Sequence, residues 1–152
     1  MNNASTFKSM IDRYTARAYT HEYIFGFIDR GNVYMVYADA SVLPYVLCLD
    51  RASRGAGMSL RFRPTRAHKE LLKGYKCEVL CSVVYFNELV AGSKYNKGEV
   101  FEKLVTEKLG QEWHKDSVPF TEDGDVTADG VAYQVKFQGA TFCNEKSLAS
   151  LA

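Results

Sequence analysis

The stretch EYIFGFIDRGNVYMVYADA, residues 22–40, constrains the fold more than any other part of the chain. Two runs of aromatic and β-branched residues flank DRGN, and Gly31 can take a positive φ in the connection. The pattern predicts a hairpin. The aromatic content of 13%, supplied mostly by ten Tyr and nine Phe, suits a strand-rich fold.

The rest of the chain fills in around that hairpin. Residues 3–19 predict a first helix, with Ser5 or Thr6 as cap and an apolar stripe of Phe7, Met10, Ile11, Tyr14 and Ala18. LPYVLCLD and MSLRFRP predict a third and a fourth strand, separated by the flexible loop RASRGAG. PTRAHKELLKGY reads as a short helix with Pro64 near its start and Gly74 at its end. KCEVLCSVVYF reads as a strand, NELVAGSKYNKG as a linker over 87–97, and KGEVFEKLVTEKLG as a helix closed by Gly110. Val100, Phe101, Leu104, Val105 and Leu109 mark the buried side of that helix. EWHKDSVPF reads as extended, with Trp113 opening a strand. A second hairpin, GDVTADGVAYQVKF, follows, and NEKSLASLA predicts a short terminal helix.

A chain of 152 residues fits one domain, or one domain with an extension. Charge is unevenly placed. Residues 1–86 carry 12 Lys/Arg against 7 Asp/Glu, residues 87–152 carry 7 against 11, and all eight arginines lie at or before Arg66. The expected class is α/β (α+β), a mixed central sheet flanked by helices. Residues 1–86 form a strand-rich basic region, 87–97 a linker and 98–152 a second region, with one compact domain as the alternative. The N-terminal MNNASTFKSM lacks the apolar core of a secretory signal, and no run approaches membrane-spanning length. The expectation is a cytoplasmic protein with no membrane partner and with reduced thiols. Cys77 and Cys81, four apart in a predicted strand, are expected on one face. With His21, His68 and His114 scattered, they read as half-buried thiols rather than zinc ligands.

The chemistry concentrates in the second hairpin. Residues i and i+2 of a strand share a face. Gln134 and Lys136 therefore project together, while Tyr133, Val135 and Phe137 turn into a core. Asp125 lies on the preceding strand, and a turn at ADG brings it near them. Asp129 is a favoured turn former. A carboxylate, an amide oxygen and a lysine are the pieces for metal-assisted phosphodiester cleavage. Mg²⁺ takes oxygen ligands and keeps several waters, so one or two carboxylates suffice beside a phosphate. A lysine steadies developing negative charge or helps deprotonate the attacking water.

NKGEVFEKLVTEKLG followed by GDVTADGVAYQVKF resembles the PD-(D/E)xK, or restriction-endonuclease-like, nuclease superfamily, in the style of small phage nucleases and Holliday-junction resolvases. In that family a lysine-glycine leads into a helix bearing a glutamate, an aspartate starts one strand, and a Glu/Gln-x-Lys ends the next. The resemblance implies a restriction-endonuclease-like core in the C-terminal part. Glu102 matches the helix glutamate, with Glu99 in reserve, Asp125 the motif aspartate, Gln134 the variable acid or amide, and Lys136 the motif lysine. It implies a phage or mobile-element DNA nuclease that holds Mg²⁺ or Mn²⁺ on Glu102, Asp125 and Gln134 and acts through Lys136, Glu102 and Asp125, with a homodimer as a natural arrangement for cutting a duplex.

Arg51, Arg54, Arg61, Arg63, Arg66, Lys69 and Lys73 crowd into 23 residues, opposed within that span only by Glu70. Guanidinium forks suit phosphate oxygens, so the segment predicts a grip on a nucleic-acid backbone. Gln134 contributes no charge. The alternative function is therefore a catalytically degenerate, nuclease-shaped module that binds nucleic acid or inhibits a host nucleoprotein defence enzyme, as anti-CRISPR proteins do.

Overall fold

The computed structural model of the protein describes residues 3–18, 22–51, 57–114 and 126–145. In chain order the elements are α1 (Asn3–Ala18), β1 (Glu22–Asp29), β2 (Asn32–Asp39), a 3-10 turn (Ala40–Val42), α2 (Leu43–Val46), β3 (Leu47–Arg51), β4 (Met58–Phe62), α3 (Arg66–Leu72), β5 (Lys76–Ser82), α4 (Val83–Ala91), α5 (Lys97–Lys108), β6 (Val126–Ala128), β7 (Val131–Phe137) and β8 (Thr141–Asn144). The expected α+β class, with a mixed sheet flanked by helices, is what forms. Among the described residues no helix is long and apolar enough to cross a membrane.

Both predicted hairpins are present, and for the predicted reason. Their connections place two successive residues at positive φ: Arg30 at 47° and Gly31 at 80°, then Asp129 at 52° and Gly130 at 78°. That is the turn whose twist matches paired antiparallel strands. Asp129 is thereby a turn residue. A five-stranded sheet runs in the order β5-β2-β1-β7-β6, and a three-stranded antiparallel sheet in the order β3-β4-β8. Strand β1 pairs antiparallel with β2 along its whole length and parallel with β7, from Glu22 opposite Tyr133 to Gly26 opposite Phe137. The basic and the acidic parts of the chain thus contribute strands to one sheet.

Strand alternation gives that sheet two apolar faces. One packs Tyr23, Phe25 and Phe27 against Met10 and Ile11 of α1 and Leu60, Phe62 and Cys143 of the small sheet. The other packs Ile24, Met35 and Phe137 against Phe86 of α4 and Val100, Phe101 and Val105 of α5. Gly26 sets the depth of the second face. A Cβ there would lie 2.3 Å from the Phe101 ring, so α5 seats fully only over a glycine.

Five local expectations are corrected. Leu43–Val46 is a helical turn with Pro44 in its first turn, where a strand was expected. The strand read through KCEVLCSVVYF stops at Ser82, whose hydroxyl accepts from the Tyr85 N–H at 3.1 Å and starts α4. Residues 87–91, expected to open a linker, are the second half of that helix. Trp113 opens no strand. It sits in an irregular segment, edge-on to Tyr95 with centroids 4.9 Å apart. Cys77 and Cys81 do not share a face. The register of β5 on β2 slips between Tyr34 opposite Val79 and Val33 opposite Cys81. The extra residue, Leu80, reverses the alternation, so Cys77 packs on the α1 side and Cys81 on the α4–α5 side. The terminal segment NEKSLASLA lies mostly outside the described residues.

Candidate active site

A cavity of about 610 Å³ opens where α5 begins and β7 ends. One wall is Asn96, Lys97, Gly98, Glu99 and Glu102, and the other is Val135–Phe137 with the turn Gln138–Ala140. The Asn96 side chain caps α5, accepting from the Glu99 N–H at 2.9 Å. Glu99 therefore sits in the first turn, at the positive end of the helix dipole. Glu102 follows three residues on and on the same face. The opposite wall is fixed by its backbone. Gln138 N–H donates to the Gly26 carbonyl at 2.9 Å, and the Gln138 side-chain oxygen accepts from the Ile28 N–H at 2.9 Å. Gly139 N–H donates to the Phe62 carbonyl at 2.6 Å, and Phe62 N–H to the Ala140 carbonyl at 2.9 Å.

Lys136 is among the residues lining this cavity, and its side chain projects from the other face of the strand. Val135 and Phe137 pack towards α5. Lys136 stands opposite Phe25 of β1, on the other face, and its ammonium lies 5.2 Å from the Phe142 ring centroid. Burial pushes the neighbouring Cys143 thiol up to about 11, and the Lys136 charge works against that rise. Among the described residues, strand β6 pairs with β7 from Val131 to Tyr133. The cavity is lined by residues beyond those pairings, from Val135 to the turn at Ala140. Gln134 shares the Lys136 face, opposite Tyr23, but is not part of the cavity lining. Asp125 lies outside the described residues.

The basic segment divides. Arg61 Nε lies 3.0 Å and Arg63 Nη2 3.4 Å from the same oxygen of Asp50. Lys69 donates to the Ile28 carbonyl at 2.7 Å, and Lys73 to Asp29 at 2.5 Å while lying 4.7 Å from the Tyr34 ring centroid. The hydrogen bond from Lys73 is the main reason the Asp29 carboxyl is held below the usual range. These two lysines pin α3 to the first hairpin. Arg51 and Arg66 are exposed, and Arg54 lies outside the described residues.

No family model, curated protein or solved structure matches the chain.

The site therefore rests on its own geometry. Glu99 and Glu102 line it from α5 and Lys136 from β7. No cluster of three or more His, Cys, Asp or Glu suited to a metal ion occurs among the described residues. Two carboxylates one helical turn apart on a cavity wall do fit a hard divalent cation that keeps most of its waters. Sequence reasoning missed Gln138 and Asn96. Asn96 was legible as a capping residue three positions before Glu99. Gln138 was not, because its partner Ile28 is 110 residues away.

Proposed function

We propose that the protein is a metal-dependent DNA nuclease of PD-(D/E)xK type acting at the α5–β7 cavity. The observation that carries this reading is that Glu102 and Lys136, two positions of the motif, both line one cavity. Glu99 and Glu102 would hold Mg²⁺ or Mn²⁺, with Asp125 as the third carboxylate of the motif. The metal, when bound, supplies Lewis-acid polarisation of the phosphate and a more acidic water. The chain's own part is to hold that charge on a capped helix end and to bring the Lys136 ammonium against the scissile phosphate, where it offsets negative charge in the transition state. Incubating plasmid and branched DNA with Mg²⁺ or Mn²⁺, beside Lys136→Ala and Glu102→Gln, tests it. Metal-dependent cutting by the parent chain that both variants lose is the expected result. Cutting that is equal in all three, or absent with every substrate and metal, overturns it.

Two observations favour a second reading. The Lys136 ammonium rests on Phe142 and Gln134 stands outside the cavity, which suits a nuclease-shaped binding module for DNA or for a host nucleoprotein enzyme. Calorimetry separates the two. Retained DNA affinity without any Mn²⁺ binding selects the binding module.

A further inference from the structure

We propose that the outer face of the small sheet at Arg61 and Arg63 is the track along which a DNA backbone enters the cavity, and that Asp50 is a resident anion that a phosphate displaces there. The inference rests on the reading of the cavity as a DNA site. It assigns to two residues a role that the sequence spread over seven.

Phe62 is fully buried; Arg61 before it on β4 is about 34% exposed, and Arg63, just past the strand's end, about 51%. They converge on one carboxylate oxygen, at 3.0 and 3.4 Å. A single carboxylate facing two guanidinium groups leaves the cluster net positive, and it engages few of the five N–H donors on each fork. The pairing is also poorly aligned. Arg61 Nε is buried and makes no hydrogen bond despite its 3.0 Å approach to Asp50. A backbone phosphodiester carries the same single charge on two non-bridging oxygens and can accept from both guanidinium forks in place of Asp50.

The position joins this cluster to the cavity. Phe62, between the two arginines, exchanges backbone hydrogen bonds with Gly139 and Ala140, which line the cavity. Arg61 stands opposite Thr141, the next residue. Paired strands lie about 5 Å apart, so the arginine pair sits one strand spacing from residues that line the cavity. Gly139 adds no side chain to it, and the space above its Cα is open. Lys69 and Lys73 do not belong to this track, since the Ile28 carbonyl and Asp29 hold them.

The test is fluorescence anisotropy with labelled single-stranded and duplex DNA, between about 50 and 200 mM salt, on a Glu102→Gln background so that no cutting intervenes. The double variant Arg61→Gln/Arg63→Gln is expected to bind about tenfold or more weakly. It is also expected to lower the slope of log K against log salt by about two, roughly one for each phosphate no longer neutralised. Asp50→Asn is expected to bind several-fold more tightly, a gain that a merely structural ion pair does not produce. Should the double variant unfold, the half-exposed Arg63→Gln alone is expected to lower the slope by about one. An unchanged slope, an Asp50→Asn variant that binds no tighter, or no DNA binding at any salt overturns the inference. If these effects appear while the parent chain cuts nothing, the track stands and the cleavage reading falls. If the parent cuts and the slopes do not change, the reverse holds.

Discussion

The two faces of the five-stranded sheet are built by different means. On the α4–α5 face, Phe101 lies over Gly26 and packs with Phe137 at 5.1 Å, while Phe86 meets Phe137 at 5.4 Å. Two helices adjacent in sequence cover that face. On the other face an aromatic group of Tyr23, Phe25, Phe62 and Phe142 is gathered from β1, β4 and β8, with centroid separations from 4.9 to 6.4 Å. The acidic groups of the candidate site hang from the helical face and its cation from the aromatic face. The residues that carry them line one cavity at the end of β7, beyond the pairing of Tyr133 with Val126 of β6. A site divided in this way needs both cores in place.

The sharpest way to break the comparison is to remove one charge from each face. On the proposed nuclease reading, Glu102→Gln and Lys136→Met are each expected to lower DNA cleavage by about 10²–10⁴-fold, with circular dichroism unchanged. Full turnover in Lys136→Met beside a dead Glu102→Gln would assign the chemistry to the helical face alone. Next in size is the packing of that face. Phe101→Ala is expected to cost about 3–5 kcal/mol in urea unfolding, and Gly26→Ala about 1–3 kcal/mol through overpacking against the same ring. A neutral Gly26→Ala would show that α5 can lift without loss. Asn96→Ala removes the cap at the cavity and is expected to cost about 1 kcal/mol, read from the same unfolding curves.

The smallest effect is electrostatic and lies where α3 meets the first hairpin. The Asp29 carboxyl is held below its ordinary 3.8, first by its hydrogen bond from Lys73. Its stabilisation is therefore present above pH 3.8 and is lost as pH falls through the lowered native value. Lys73 is shifted above its ordinary 10.5 by the same bond, so its contribution is present below pH 10.5 and fades as pH rises through the raised native value. Asp29→Asn should flatten the acid limb of a plot of urea midpoint against pH. An acid limb as steep as the parent's would show that the pair adds nothing. Salt partly screens a part-buried surface pair of this kind, which is why the effect ranks last.

Much of this was legible in local sequence. Arg30-Gly31 and Asp129-Gly130 announced their hairpins because positive φ is a single-residue property. The helices over Asn3–Ala18 and Lys97–Lys108 followed from apolar spacing. VVYF misled, because β-branched and aromatic residues favour strands in isolation. The Ser82 cap and the burial of Phe86 against Phe137 turned that run helical. Leu80 left no trace in the sequence as a bulge, yet it sends Cys77 and Cys81 to opposite sides of the sheet.

By itself, then, the sequence determined the turns, the longer helices, the shared face of Gln134 and Lys136, and the polar character of the segment after Asp50. These depend on neighbours within a few residues. Only the tertiary structure decided that β7 lies parallel to β1, that Lys69 and Lys73 bond to the first hairpin while Arg61 and Arg63 pair with Asp50, and that Glu102 and Lys136 line one cavity. The physical reason is that these pairings join residues far apart in the chain. Their free energy comes from burying two faces of one sheet at once, and no short stretch of the chain carries that information.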